Sequence, residues 1–109
     1  MTTTTNLWAE LPPAIDRVEV LEEILRSGTL RIERIVSNGH ISPADFWFDQ
    51  HENEWVVVLQ GDARIAFGDG GESVLRTGDG LFLPAHQRHR VTHTSTEPAC
   101  IWLAVFWQP

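Results

Sequence analysis

EWVVVLQG, residues 54–61, is an apolar run rich in valine that lies between a glutamate and a glycine. Successive residues of a strand point to opposite faces, so Glu54, Val56 and Val58 share one face. The residues between them are also apolar, which indicates burial on both faces. A charge at the head of a row of valines is explained if that face lines a cavity that is otherwise apolar.

Short strands separated by turns are predicted on both sides of this run. Asp69-Gly70-Gly71 is a strong hairpin signal, and further turns are predicted at Ser37-Asn38-Gly39 and Gly78-Asp79-Gly80. Many short strands with glycine punctuation predict an all-β sandwich or barrel. The other predicted strands cover residues 30–36, 63–67, 74–76, 81–83, 89–94 and 100–107.

The N-terminal part of the chain has a less regular pattern. Residues 1–13 contain four consecutive threonines and two prolines, and are predicted to form a flexible arm before a single domain of residues 14–109. Residues 16–26 leave two alternatives open. Val18, Leu21 and other apolar residues fit the spacing of one short helix, and the same stretch is tolerable as an edge strand.

Composition excludes several functional classes. Lys plus Arg total 8 and Asp plus Glu total 15, so the formal net charge of the 109 residues is −7. An acidic chain lacks the footprint for nucleic acid or an anionic membrane surface, and no run is apolar enough to span a bilayer. A single Cys100 excludes an internal disulfide, and the absence of lysine excludes Schiff-base chemistry. These features predict a cytoplasmic protein.

Polar side chains capable of chemistry are concentrated in two segments, residues 47–54 and 84–93, which hold four of the five histidines. Alternation would place Asp49 and His51 on one face. It would likewise place His89 and His93 on one face. Histidine and carboxylate together suit a mixed nitrogen and oxygen metal site for Fe, Mn, Zn or Ni.

The two segments resemble the two motifs of the cupin family. Residues 54–61 are similar to the end of the first motif, G-x5-H-x-H-x3,4-E-x6-G, and residues 78–93 are similar to the second, G-x5-P-x-G-x2-H-x3-N. The resemblance implies an all-β jelly-roll barrel (a double-stranded β-helix). It also implies a homodimer and a metal-capable pocket at the barrel mouth.

Under this resemblance, Glu54 and His89 occupy ligand positions of the family. The two histidines of the first motif fall on Trp47 and Asp49 in the longer spacing, or on Phe48 and Gln50 in the shorter. Neither spacing finds a histidine. The remaining candidates are Asp49, His51 and His93 as metal ligands, and Trp47, Gln50 and His86 as residues that contact substrate.

Three functions compete at this point. The first is an enzyme with a divalent metal ion that acts on a small organic molecule by oxygenase, isomerase or lyase chemistry. The alternative is a non-catalytic module that binds or senses a small molecule without metal, which the altered first motif favours. The third is a structural or oligomerisation domain, suggested by five tryptophans in a short chain. Fold alone does not decide among them.

Overall fold

A computed structural model describes residues 3–13 and 15–109 and shows eight antiparallel β-strands. No helix long and apolar enough to cross a membrane occurs among the residues described. The strands are β1 (Glu19–Ser27), β2 (Leu30–Ser37), β3 (Asn53–Gln60), β4 (Asp62–Phe67), β5 (Glu72–Arg76), β6 (Gly80–Leu83), β7 (His89–Thr94) and β8 (Cys100–Trp107).

The strands form two sheets whose apolar inner faces make the core. One sheet has the order β1-β2-β8-β3-β6, and the other has the order β5-β4-β7. Val56 and Val58 of β3 meet Ile65 of β4 and Trp102 of β8 in one buried cluster. The prediction of an all-β jelly-roll architecture is therefore confirmed, with strand positions close to those expected from the sequence.

Strand β3 confirms the alternation read from its sequence on one face only. Glu54, Val56 and Val58 are all buried on the inner face. Trp55 on the other face is 40% exposed, so the expectation of burial on both faces is wrong there. A two-layer sandwich has a single inner face, and the Trp55 ring instead covers the backbone of Gly80, where an added Cβ would lie 2.6 Å from it.

Residues 16–26 form no helix. Most of this stretch belongs to β1, which pairs with β2 from Glu19 opposite Ser37 to Ser27 opposite Leu30. Pairing along β2 satisfies the backbone hydrogen-bonding groups that a helix would otherwise satisfy internally. The helical alternative is wrong, because tertiary pairing overrides a local apolar spacing that fits both structures.

The N-terminal segment contacts the barrel at one buried arginine. The Arg34 guanidinium donates to the carbonyl oxygens of Leu7, Ala9 and Glu10 at 3.3, 2.7 and 3.3 Å. It also pairs with Glu22 of β1 at 2.8 Å. Met1, Thr2 and Ala14 lie outside the described residues, and the domain boundary between residues 13 and 14 stays a prediction.

Candidate functional site

A cavity opens between the two sheets. The cavity has a volume of about 90 Å³, several times the space that a single water molecule requires. Its wall is mostly apolar, with a few polar groups that converge on it. The lining residues are Glu19, Leu21, Ile35, Ser37, Phe48, Gln50, Glu54, Val56, Ile65, Leu83, His89, Val91, Trp102 and Phe106.

Glu54 supplies a buried carboxyl group to this cavity. It sits near the start of β3, between Leu83 of β6 and Phe106 of β8, and is only 8% exposed. Gln50 Nε2 donates to its Oε1 at 3.0 Å. Burial raises the pKa of Glu54 to about 7, and the hydrogen bond from Gln50 offsets part of that rise.

His89 supplies an imidazole ring from the first residue of β7. It is 5% exposed, and it exchanges backbone hydrogen bonds with Phe48 at 2.7 and 3.1 Å. The Phe48 ring stacks on the imidazole with centroids 5.2 Å apart. His89 Nδ1 lies 2.9 Å from the Gln87 carbonyl oxygen, which accepts only, so Nδ1 carries the proton. Burial lowers the pKa of His89.

The structure selects the shorter spacing of the first motif. Phe48, Gln50 and Glu54 all line the cavity, whereas Trp47 and Asp49 do not. The backbone bridge between Phe48 and His89 fixes which residues of this segment point inward, because successive side chains point to opposite sides. The two histidine positions of the first motif are therefore occupied by a phenyl ring and an amide.

Three predicted site residues lie in the loops beside the cavity and are absent from its lining. Asp49 Oδ1 and His86 Nδ1 form an exposed pair 2.9 Å apart. His86 has a φ of +65°, a conformation that is uncommon for a residue other than glycine. His51 is exposed in the same region. As ligands or substrate contacts, these three residues stay predictions.

His93 and Trp47 also face away from the cavity. His93 Nε2 lies 2.8 Å from Asp62 Oδ1, and its side chain is exposed. The expected shared face of His89 and His93 is wrong, because the pairing of β7 with β4 shifts register between Arg64, which is opposite His93, and Ile65. The Trp47 ring packs against two guanidinium groups at the surface, those of Arg88 and Arg90 at 5.2 and 5.9 Å.

Two polar residues of the lining, Glu19 and Ser37, are not among the candidates named from the sequence. Glu19 of β1 reaches the cavity and lies 2.7 Å from His40 Nε2. Burial raises the pKa of Glu19 and the nearby His40 lowers it. Ser37 Oγ accepts a hydrogen bond from Trp102 Nε1 at 3.1 Å. Alternation along β1 and β2 was the available signal, since Leu21 and Ile35 line the same cavity.

The side chains of this cavity do not fit the divalent-metal site that the resemblance implies. The four family positions hold Phe48, Gln50, Glu54 and His89, which offer one carboxylate and one imidazole. The Gln50 amide nitrogen, which donates to Glu54, is no metal ligand. In residues 3–13 and 15–109, no three His, Cys, Asp or Glu side chains come together in a way that could hold an ion.

Comparison with solved structures agrees with this architecture. A proposed mannose-6-phosphate isomerase from Ralstonia eutropha JMP134 is 41% identical, with a TM-score of 0.91 over 99% of this chain and 100% of that one. A cupin superfamily protein from Desulfitobacterium hafniense DCB-2 is 19% identical, with a TM-score of 0.78 over 100% and 94%. An RmlC-like cupin from Desulfovibrio desulfuricans is 15% identical, with a TM-score of 0.71 over 97% of both chains.

Sequence comparison identifies the family of the chain and assigns no activity to it. No curated protein matches the chain. The family model described as "Cupin domain" matches residues 33–106, which cover more than half of the chain and include both motif segments. The motifs, the jelly-roll topology and this match together show that the chain belongs to the cupin family.

Proposed function

We propose that the protein binds a small organic molecule in the cavity and moves protons to and from it, in the manner of isomerases and lyases. The observation that carries this proposal is the burial of one carboxyl group, Glu54, and one imidazole, His89, in the same mostly apolar cavity. Buried acid and base groups that share a cavity are a frequent mark of catalytic sites.

The protonation states of the two groups suit general acid–base catalysis. With a pKa of about 7, Glu54 populates both its neutral and its ionised form near neutral pH. His89 donates its Nδ1 proton to the Gln87 carbonyl, so the neutral ring keeps the lone pair of Nε2. One group is thus able to donate a proton while the other accepts one.

The relative from Ralstonia eutropha supports the class of chemistry and not mannose 6-phosphate as the substrate. Its description as a proposed mannose-6-phosphate isomerase names an isomerisation. A phosphate group usually binds to Arg, Lys or the backbone N–H groups at the start of a helix. The residues that line this cavity include neither Arg nor Lys. We therefore propose isomerase-type or lyase-type proton transfer on a molecule that carries no phosphate.

Hydrogen–deuterium exchange on carbon tests this proposal. Pyruvate, hydroxyacetone and aminoacetone are incubated with the protein in D2O, and the loss of their C–H signals beside the carbonyl is followed by proton NMR. We expect exchange faster than in buffer for at least one compound. We expect the His89→Gln and Glu54→Gln variants to lose about 10²-fold or more of that rate, the usual share of a general acid or base.

His93→Gln is the matched control, since it removes an imidazole that faces away from the cavity. It should exchange at the wild-type rate. No exchange of any of the three compounds, or equal losses in the His93 and His89 variants, would contradict the proposal.

A binding module without catalysis is the second candidate. The replacement of the two first-motif histidines by Phe48 and Gln50 favours it, since both remove ligands that cupin metal chemistry uses. If this candidate is correct, a bound small molecule shifts the NMR signal of the Trp102 indole, whose ring lines the cavity. The same molecule shows no hydrogen–deuterium exchange on carbon. Exchange that depends on His89 would exclude it.

A divalent ion, Fe, Mn, Zn or Ni, stays a competing prediction that follows from the family resemblance. We expect the exchange rate to survive dialysis against a chelator, because Glu54 and His89 are the two metal-capable residues at the family positions. Elemental mass spectrometry before and after dialysis gives the metal content. A rate that falls with the chelator and returns with one of these ions would support the metal-dependent enzyme instead.

We also propose that two copies of the chain associate through edge strand β1. Leu21 and Leu25 of that strand are 57% and 51% exposed, and an unpaired apolar edge is usually covered by a partner. The Leu25→Glu variant is expected to sediment as a monomer where the parent sediments as a dimer. Val74→Glu, on edge strand β5 of the other sheet, should keep the parent mass. A parent that sediments as a monomer would contradict the proposal.

A further inference from the structure

Apart from His89, whose burial favours the neutral ring, the ionisable side chains of the cavity wall are acidic. Glu19 and Glu54 contribute carboxyl groups from β1 and β3. Glu19 Oε2 already lies 2.7 Å from His40 Nε2. Ser37 and Gln50 contribute neutral polar groups, and no Arg or Lys lines the cavity. The carboxyl groups of the wall therefore favour a cationic ligand over an anionic one.

Arg31 is a nearby cation, and its charge is already paired. Its guanidinium donates to Glu33 at 2.9 Å and to Glu52 at 2.6 Å. It also lies over the Phe106 ring, 4.0 Å from the centroid. To pair with an anion in the cavity, Arg31 would have to leave both carboxylates. Breaking these partly buried ion pairs is unfavourable, because it leaves carboxylates without a partner.

The cavity would bind a cation by direct contacts. Gln50 occupies Glu54 Oε1, and the structure records no such bond to Oε2. An ammonium group carries only donors, so it can pair with this oxygen. The faces of aromatic rings attract cations, and Trp102 supplies one ring to the wall. A buried carboxylate becomes less unfavourable when a cation lies against it.

We propose that this cavity selects a small primary amine, bound as its ammonium ion against Glu54, an inference that rests on the proposed function for its location. The apolar part of the amine packs against the valine, leucine and aromatic side chains of the wall. Carboxylates and phosphates of the same size are rejected, because no positive group is free to pair with them.

Three probes of matched shape and different charge test this selectivity. Isobutylamine, isobutanol and isobutyrate are titrated into the protein, and the Trp102 indole N–H signal is followed by NMR. We expect isobutylamine to bind at least about tenfold more tightly than isobutyrate, a difference of about 1.4 kcal/mol, with isobutanol between them. Equal affinities, tighter binding of isobutyrate, or no saturable shift with any probe would overturn the inference.

Two glutamine variants separate the cavity charge from the net charge of the protein. Glu54→Gln keeps the shape of the side chain, and should lower the affinity for isobutylamine to that for isobutanol. Glu72→Gln removes the same charge from an exposed position of β5 and should leave both affinities unchanged. An equal loss in the two variants would show that the preference reflects the overall charge of −7, and would overturn the inference.

Failure of this inference is distinguishable from failure of the proposed chemistry. Selective binding of isobutylamine without exchange on carbon supports the ligand class and contradicts catalysis. Exchange that requires His89 but shows no preference for aminoacetone over pyruvate supports catalysis and contradicts the ligand class.

Discussion

The Glu54→Gln variant should be more stable than the parent at pH 8 and equally stable at pH 4. Burial raises the pKa of Glu54 from the ordinary 4.5 to about 7, so the folded state binds this proton more tightly than the unfolded chain does. Its contribution to stability is therefore complete below about pH 4.5 and is lost as the pH rises through about 7. A shift of this size corresponds to about 3 kcal/mol at pH 8.

Denaturant unfolding of both proteins at several pH values measures this effect. The difference between them cancels the contribution of His89, whose pKa is also shifted by burial and which both proteins contain. Glu72→Gln should show no such dependence, because Glu72 is exposed. A difference between parent and Glu54→Gln that is constant from pH 4 to pH 8 would mean that folding does not shift the pKa of this carboxyl group, and would contradict the prediction.

Replacing Gly61 by alanine should destabilise the fold by about 3 kcal/mol. Gly61 joins β3 to β4 with a φ of +78°, a conformation that costs other residues roughly 1–2 kcal/mol. An added Cβ would also overlap Ser95 Oγ and lie 3.2 Å from the Ala99 carbonyl oxygen. Ser95 is not free to move, since its Oγ accepts the Asp62 N–H at 3.1 Å. Overpacking of this kind adds about 1–3 kcal/mol.

Gly70→Ala separates the two causes. Gly70 has a φ of +98° in the β4–β5 hairpin, and an added Cβ there meets nothing within 4 Å. The free energy of unfolding of this variant should therefore fall only by the cost of the backbone conformation. Equal shifts of the denaturation midpoint in the Gly61 and Gly70 variants would show that the overlap with Ser95 is relieved without cost.

Sequence patterns were sufficient to predict the fold and two of the cavity residues. Alternation from Glu54 through Val58 required one apolar inner face, and the structure confirms that face. The position of His89 within the second motif placed it correctly at the start of β7. Both predictions depend on local features, a period of two and a turn before the strand, which tertiary contacts did not alter.

The remaining cavity residues depend on details that the sequence does not encode locally. A slip of one residue exchanges Gln50 for Asp49, and the bridge between Phe48 and His89, 41 positions apart in the chain, decides between them. The bulge between β4 and β7 likewise turns His93 outward. Glu19 reaches the cavity because its segment pairs with β2, although the same residues would also fit a helix.

The Gln50 side chain is able to hydrogen bond to Glu54 in either of its charge states. An amide carries a donor on one side and an acceptor on the other, in nearly the same shape. Rotated by half a turn, the Gln50 side chain would accept a hydrogen bond from protonated Glu54 instead of donating one to its ionised form, with the strands on either side unmoved. With one backbone arrangement, the Gln50 side chain is therefore able to form a hydrogen bond with Glu54 in either charge state.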